Sequence, residues 1–118
     1  MNTYRFEVRS LCECQQGGRW IEVTVVAGLV RTGTYLDTSA PVETGFLPAL
    51  PTVPALFDRI QHAISQSAVL LEVDYDPKDG HPILMNVDIS ATIADEEFSL
   101  EVKNLREVVV AVASNSRP

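Results

Sequence analysis

The sequence predicts one α+β domain, an antiparallel β-sheet with one main α-helix packed on one face. Three observations carry this. Short segments on both sides of the chain's middle alternate apolar and polar residues. One segment between them spaces its apolar residues as a helix does. No internal repeat or shift of composition divides residues 1–118. A chain of 118 residues removes roughly two-thirds of its unfolded surface from water on folding, enough for one core.

Tyr4, Phe6 and Val8 alternate with Arg5, Glu7 and Arg9, a strand with one buried face. Gln15, Gln16, Gly17 and Gly18 break it. Trp20 to Val26 and Leu29 to Leu36 are β-branched and aromatic runs on either side of Ala27-Gly28, where a tight turn suits the glycine. These three segments read as an antiparallel meander.

From Asp37 to Pro51 the chain carries Pro41, Gly45, Pro48 and Pro51 and reads as one long loop. Thr52 then caps a helix with Pro54 in its first turn. Val53, Leu56, Phe57, Ile60, Ala63 and Ile64 fall on one face of it, while Asp58, Arg59, Gln61 and His62 point elsewhere.

Val69, Leu71, Val73 and Tyr75 alternate again, as do Ile83, Met85, Val87 and Ile89, and Phe98, Leu100 and Val102 give a sixth strand. Val108 to Val112 is read as an extra C-terminal strand, although Asn104 with Glu107 also fits a capping box. The expected order is βββ-α-βββ, with that further strand possible at the end.

Composition narrows the function classes. An apolar fraction of 46% excludes a disordered chain. A formal charge of −7 and a pI near 4.6 oppose approach to phosphate backbones, so nucleic acid is not an expected partner. No run of about 18 apolar residues spans a membrane, and no charged-then-apolar leader opens the chain.

The segment VDYDPKDGHPILMNVD, Val73 to Asp88, concentrates acids, a proline, a glycine and a histidine between two apolar runs. Read as an EF-hand loop from Asp74, it fails: Lys78 stands at the fifth position, Asp79 at the glycine position and Met85 where the bidentate Glu belongs. Asp76, Pro77 and Gly80 instead fit a hairpin turn. The turn leaves Asp88 and the run Asp95-Glu96-Glu97 unexplained. A face carrying Asp76, Asp88 and Glu97 would suit a cation or a basic peptide, but a solvated rim asks for less.

Cys12 and Cys14 are two residues apart, at the edge of disulfide reach for an extended strand, and the Gln-Gln-Gly-Gly stretch beside them permits departure from that geometry. An oxidising compartment favours the bond, a reducing one two free thiols. Neither their spacing nor the separation of His62 from His81 matches a zinc finger or ribbon. There is no Gly-x-Ser-x-Gly elbow and no glycine-rich phosphate loop. A Cys14–His81 dyad, or a carboxylate pair of Asp76 and Asp88, rests only on the presence of the letters. Trp20, Tyr4 and Tyr35 suit core or cross-strand positions, whereas Phe46 lies inside the proline-rich loop, where it plugs the sheet edge or marks a binding surface.

Taken together, YRFEVRSLCECQQGGRWIEVTVVAGLV, LFDRIQHAI and LLEVDYDPKDGHPILMNVDISATIADEEFSLEV resemble the bacterial domain of unknown function numbered six-one-seven-four, from Tyr4 to about Leu105. The residues that carry the resemblance are Cys12, Cys14, Tyr75, Asp76, Pro77, Gly80, Pro82, Asp88, Asp95 and Glu97. Their roles are unknown. The resemblance implies a secreted or lipid-anchored envelope protein with Cys12 and Cys14 oxidised, and it brings no reaction, substrate or cofactor. The expectation for residues 1–118 is such a domain read without its leader.

The functional expectation is a non-enzymatic, extracytoplasmic bacterial module that binds a protein or small ligand or serves a structural role, with no catalytic residue, metal or cofactor. A binding module predicts a groove near the proline-rich loop lined by Trp20, Phe46 or Tyr35. The rival is a metal-binding protein or metal-dependent enzyme using Asp76, Asp88 and Glu97 or the Cys and His set; a cytoplasmic domain with free thiols is the plainer alternative.

Overall fold

The computed structural model describes residues 2–11, 17–90 and 97–108. They form a six-stranded antiparallel sheet with one α-helix, in the expected order βββ-α-βββ. The strands are β1 (Tyr4–Ser10), β2 (Ile21–Val26), β3 (Leu29–Tyr35), β4 (Leu70–Tyr75), β5 (Pro82–Asp88) and β6 (Glu97–Glu107), and the helix is α1 (Val53–Ser65). Cys12, Cys14 and Asp95 lie outside the described residues, as does most of the expected C-terminal strand. Among the described residues no helix is long and apolar enough to cross a membrane.

Across the sheet the strands run β3-β2-β1-β6-β5-β4. Each half of the chain folds as a local meander, and the two meanders join through β1 and β6, where Val8 faces Val102 and Ser10 faces Leu100. The chain between β3 and β4 must therefore travel from one edge of the sheet to the other. It does so over one face, and that face becomes the inside: Tyr4, Phe6, Val8, Val23, Val25, Met85, Val87, Leu100 and Val102 are buried beneath it.

Thr52 caps α1 as the sequence predicts, its hydroxyl oxygen accepting from the Ala55 N–H at 3.2 Å. Leu56, Ile60 and Ala63 are the buried stripe. Phe57 and Ile64, expected on that stripe, are exposed. The helix lies on β5 and the edge strand β4, so one flank of its apolar face overhangs the sheet. Phe57 instead stacks on Tyr75, with ring centroids 6.5 Å apart.

The expected proline-rich loop is more ordered than its composition suggests. Thr44–Ala49 is a 3-10 helix containing Pro48, opened by the Phe46 N–H donating to the Glu43 carbonyl at 2.8 Å and closed by the Leu50 N–H donating to the Leu47 carbonyl at 3.1 Å. Before it, the chain doubles back on the β3 edge: the Val42 N–H donates to the Gly33 carbonyl at 2.8 Å, and Pro41 bridges Thr34. This strap covers an edge that would otherwise present unpaired backbone groups.

Candidate functional site

Two places on the molecule combine shape with chemistry. The first is the seam between the parts of the crossover. The 3-10 helix rests on β3 and α1 on β4 and β5, which leaves the inner face of β1 and β6 to be closed from both sides. At the seam a cavity of about 250 Å³ remains, walled by Val8, Ile21, Val42, Phe46, Leu50 and Leu100, with Ser10 and Arg59 as its polar members. Arg59 is exposed and lies 5.2 Å from the centroid of the Phe98 ring. Among the described residues it forms no ion pair with a carboxylate.

Of the aromatic residues expected to line a groove, Phe46 does so. Tyr35 is buried, and its hydroxyl donates to Glu43 Oε1 at 2.6 Å. Trp20 lies elsewhere, its ring centroid 4.8 Å from the Arg9 guanidinium and 3.9 Å from Lys103 Nζ. The three rings thus do not share one surface. Arg59 was not legible as a site residue, because only the tertiary fold sets it beside Phe46 and Leu100.

The second place is the corner between β4 and β5, and it is a hairpin turn as the sequence predicts. The Asp76 N–H donates to the His81 carbonyl and the Gly80 N–H to the Asp76 carbonyl, both at 2.8 Å, with Gly80 at φ +78°. Asp76 Oδ1 accepts from the N–H groups of Lys78 and Asp79 at 2.8 and 2.9 Å. These bonds, Asp79's first, hold the Asp76 carboxyl below its ordinary range; the neighbouring His81 and Lys78 act the same way. Closing the turn brings Asp76, Asp79 and His81 together, each offering a ligand atom within 4.8 Å of the others. His81 is buried, and its Nδ1 has no hydrogen-bond partner.

The acidic face expected from Asp76, Asp88 and Glu97 does not form. Asp88 closes the far end of β5, and six residue steps from Pro82 carry it about 20 Å along the strand. It pairs there with Glu97, and its Oδ1 accepts from the Ser90 N–H at 3.1 Å. That separation also exceeds the about 5–9.5 Å at which two carboxylates share a glycosidic bond. A Cys14–His81 dyad lies outside the described residues. Tyr75 pairs with Pro82 beyond a register shift at the end of β4, and Pro77 lies in the turn.

The family model described as "Family of unknown function (DUF6174)" matches residues 1–107. The chain belongs to this family. No curated protein and no solved structure matches it. Within the DUF6174 match lie both the seam cavity and the hairpin corner, together with all ten residues that carried the sequence resemblance.

Proposed function

We propose that this DUF6174 domain is a non-enzymatic, extracytoplasmic binding module of a bacterial envelope, and that its ligand is a small amphipathic carboxylate held in the seam cavity. The observation that carries the reading is an apolar cavity bordered by Arg59, a cation without a carboxylate partner among the described residues, on a chain whose formal charge is −7. Apolar walls bind a short hydrocarbon body by removing it from water, and a guanidinium recognises a carboxylate. A volume of about 250 Å³ lies just under the range of about 300–1,000 Å³ usual for ligand pockets, which favours a short chain. Envelope placement is supported by the family resemblance and by the Cys-x-Cys pair.

Calorimetric titration with straight-chain carboxylates of increasing length, beside the matching alcohols, tests the ligand. Saturable binding with an optimum length is expected, the carboxylate being preferred and Arg59→Gln abolishing the preference. Alcohols binding as well as carboxylates, or no binding of either, overturns it. Compartment is tested by alkylating protein from its native host without reductant; recovery of two alkylated cysteines argues for a reducing one.

A further inference from the structure

We propose that Asp76, Asp79 and His81 form a zinc-binding site at the β4–β5 corner. The site is separate from the seam cavity. A second cavity bordered by Asp79 and His81 also includes Tyr4, whereas the seam cavity reaches Val8 and Ser10 at the other end of β1.

The three ligand atoms come from one turn whose closure the backbone dictates. The bond from the Asp76 N–H to the His81 carbonyl sets those two residues opposite each other, and Asp79 is carried round between them. A ring nitrogen of His81 and a carboxylate oxygen from each aspartate then lie within 4.8 Å of one another. The second observation is independent of the acids. His81 is only 6% exposed, and its Nδ1 is shut away from solvent without a hydrogen-bond partner. Buried polar groups are almost always satisfied, and a neutral imidazole nitrogen is a common metal donor.

Asp76 is prepared for the role. Its Oδ1 is fixed by two backbone N–H groups, which orients the carboxylate and leaves Oδ2 for a cation. The donor set narrows the metal: a nitrogen ligand disfavours calcium and magnesium, and one imidazole with two carboxylates is a set that zinc accepts among the divalent transition ions. Zinc bonds of about 2.0–2.2 Å place tetrahedral ligands roughly 3.3–3.6 Å apart. Asp79 is exposed, so rotation of its side chain closes the gap without disturbing the core. The adjoining cavity of about 310 Å³ gives room for a fourth, non-protein ligand.

The linear EF-hand and zinc-finger patterns do not find this trio, since they compare spacing along the chain and the hairpin brings together residues by folding back. The test is a zinc titration of the untagged, chelator-stripped chain at neutral pH, by calorimetry and by long-range proton–nitrogen spectra of its two histidines. One Zn²⁺ per chain is expected, moving the His81 signals and leaving those of His62. Asp79→Asn should weaken binding by about tenfold or more with an unchanged melting temperature, and His81→Gln should abolish it. The Cys12→Ser/Cys14→Ser double variant should bind as the native chain does. No saturable uptake, a response of His62 alone, unchanged affinity in Asp79→Asn, or loss of uptake in the cysteine variant would each overturn the site.

Discussion

The guanidinium of Arg19 lies 3.6 Å from the centroid of the Tyr35 ring while donating to both oxygens of Asp37, from Nε at 3.0 Å and Nη2 at 2.9 Å. Through the Tyr35 hydroxyl the same cluster reaches Glu43, at the start of the 3-10 helix. The end of β3 is thereby tied to the strap that covers it. Each of these links favours a charged carboxylate. Asp37 is held below its ordinary range chiefly by its hydrogen bond with Arg19, and Glu43 chiefly by the Tyr35 hydroxyl.

Acid should loosen this cluster and the hairpin corner together. Asp37, Glu43 and Asp76 have folded pKa values below their unfolded ones, so their contribution is full above the unfolded values and is lost as pH falls through the depressed folded ones. The melting temperature should stay level from neutral pH to about 5 and decline below about 4. Glu43→Gln should melt earlier than the native chain at neutral pH, and the two curves should converge in acid as Glu43 is protonated. Melting curves that keep a constant separation down to about pH 2 would show that the Glu43 charge is not involved.

Gly33 is the position where β3 admits the strap. A Cβ there would lie 2.6 Å from Leu50 Cδ1 and 3.1 Å from Val42 Cγ2. Leu50 Cδ1 is the end of a flexible side chain beside the seam cavity and has room to give, so Gly33→Ala should cost about 1 kcal/mol, the low end of overpacking, set mainly by Val42. The fall should appear as a lower urea midpoint at unchanged slope. Leu50→Ala should cost less in the Gly33→Ala background than it does alone, because there it also removes the atom that the new methyl meets. A single variant as stable as the native chain would mean that the strap shifts freely.

The strands and the helix were legible because their signals are local. Tyr4, Phe6 and Val8 alternate within a single strand, and Thr52 with Pro54 marks a helix start wherever the helix later packs. The pairing of β1 with β6 was not legible, since it joins residues some 92 positions apart, such as Arg9 and Glu101, which also form an ion pair. The same limit separates the two readings of the acids. Asp76 is a turn former by its own chemistry and the turn was legible, but that Asp88 stands at the other end of β5 follows from strand length and register. Phe57 and Ile64 carry a helical apolar signal, yet periodicity cannot say that the helix will lie at a sheet edge.

The start of α1 is secured from outside as well as by its cap. The Val53 N–H donates to the Tyr4 hydroxyl oxygen at 2.9 Å, tying the first helical residue to the inner face of β1. Tyr4 is itself buried, its ring centroid 6.0 Å from that of Phe6. Tyr4→Phe keeps the ring and strands one amide donor, for an expected loss of about 1–2 kcal/mol. Thr52→Ala should cost about 1 kcal/mol through the Ala55 N–H. Urea unfolding measures both. A silent Tyr4→Phe would show that the Val53 donor gains nothing from its partner.

The hairpin between β2 and β3 contains a built-in opportunity for stabilisation. Val26 pairs with Leu29, and both residues between them have positive φ, Ala27 at 52° and Gly28 at 81°. This is the tight turn whose twist suits antiparallel strands, and Asn-Gly is its preferred sequence. Alanine in the left-handed region carries a steric cost of about 1–2 kcal/mol that asparagine relieves in part. Ala27→Asn should therefore stabilise the domain by about 0.5–1 kcal/mol, seen as a higher melting temperature. Ala27→Gly relieves the same clash but gives the unfolded chain more freedom, so its gain should be smaller. Ala27→Val, with a branch at Cβ, should destabilise. The order Asn above Gly above Ala above Val tests the turn: if all four melt together, the residue at 27 does not hold the left-handed conformation.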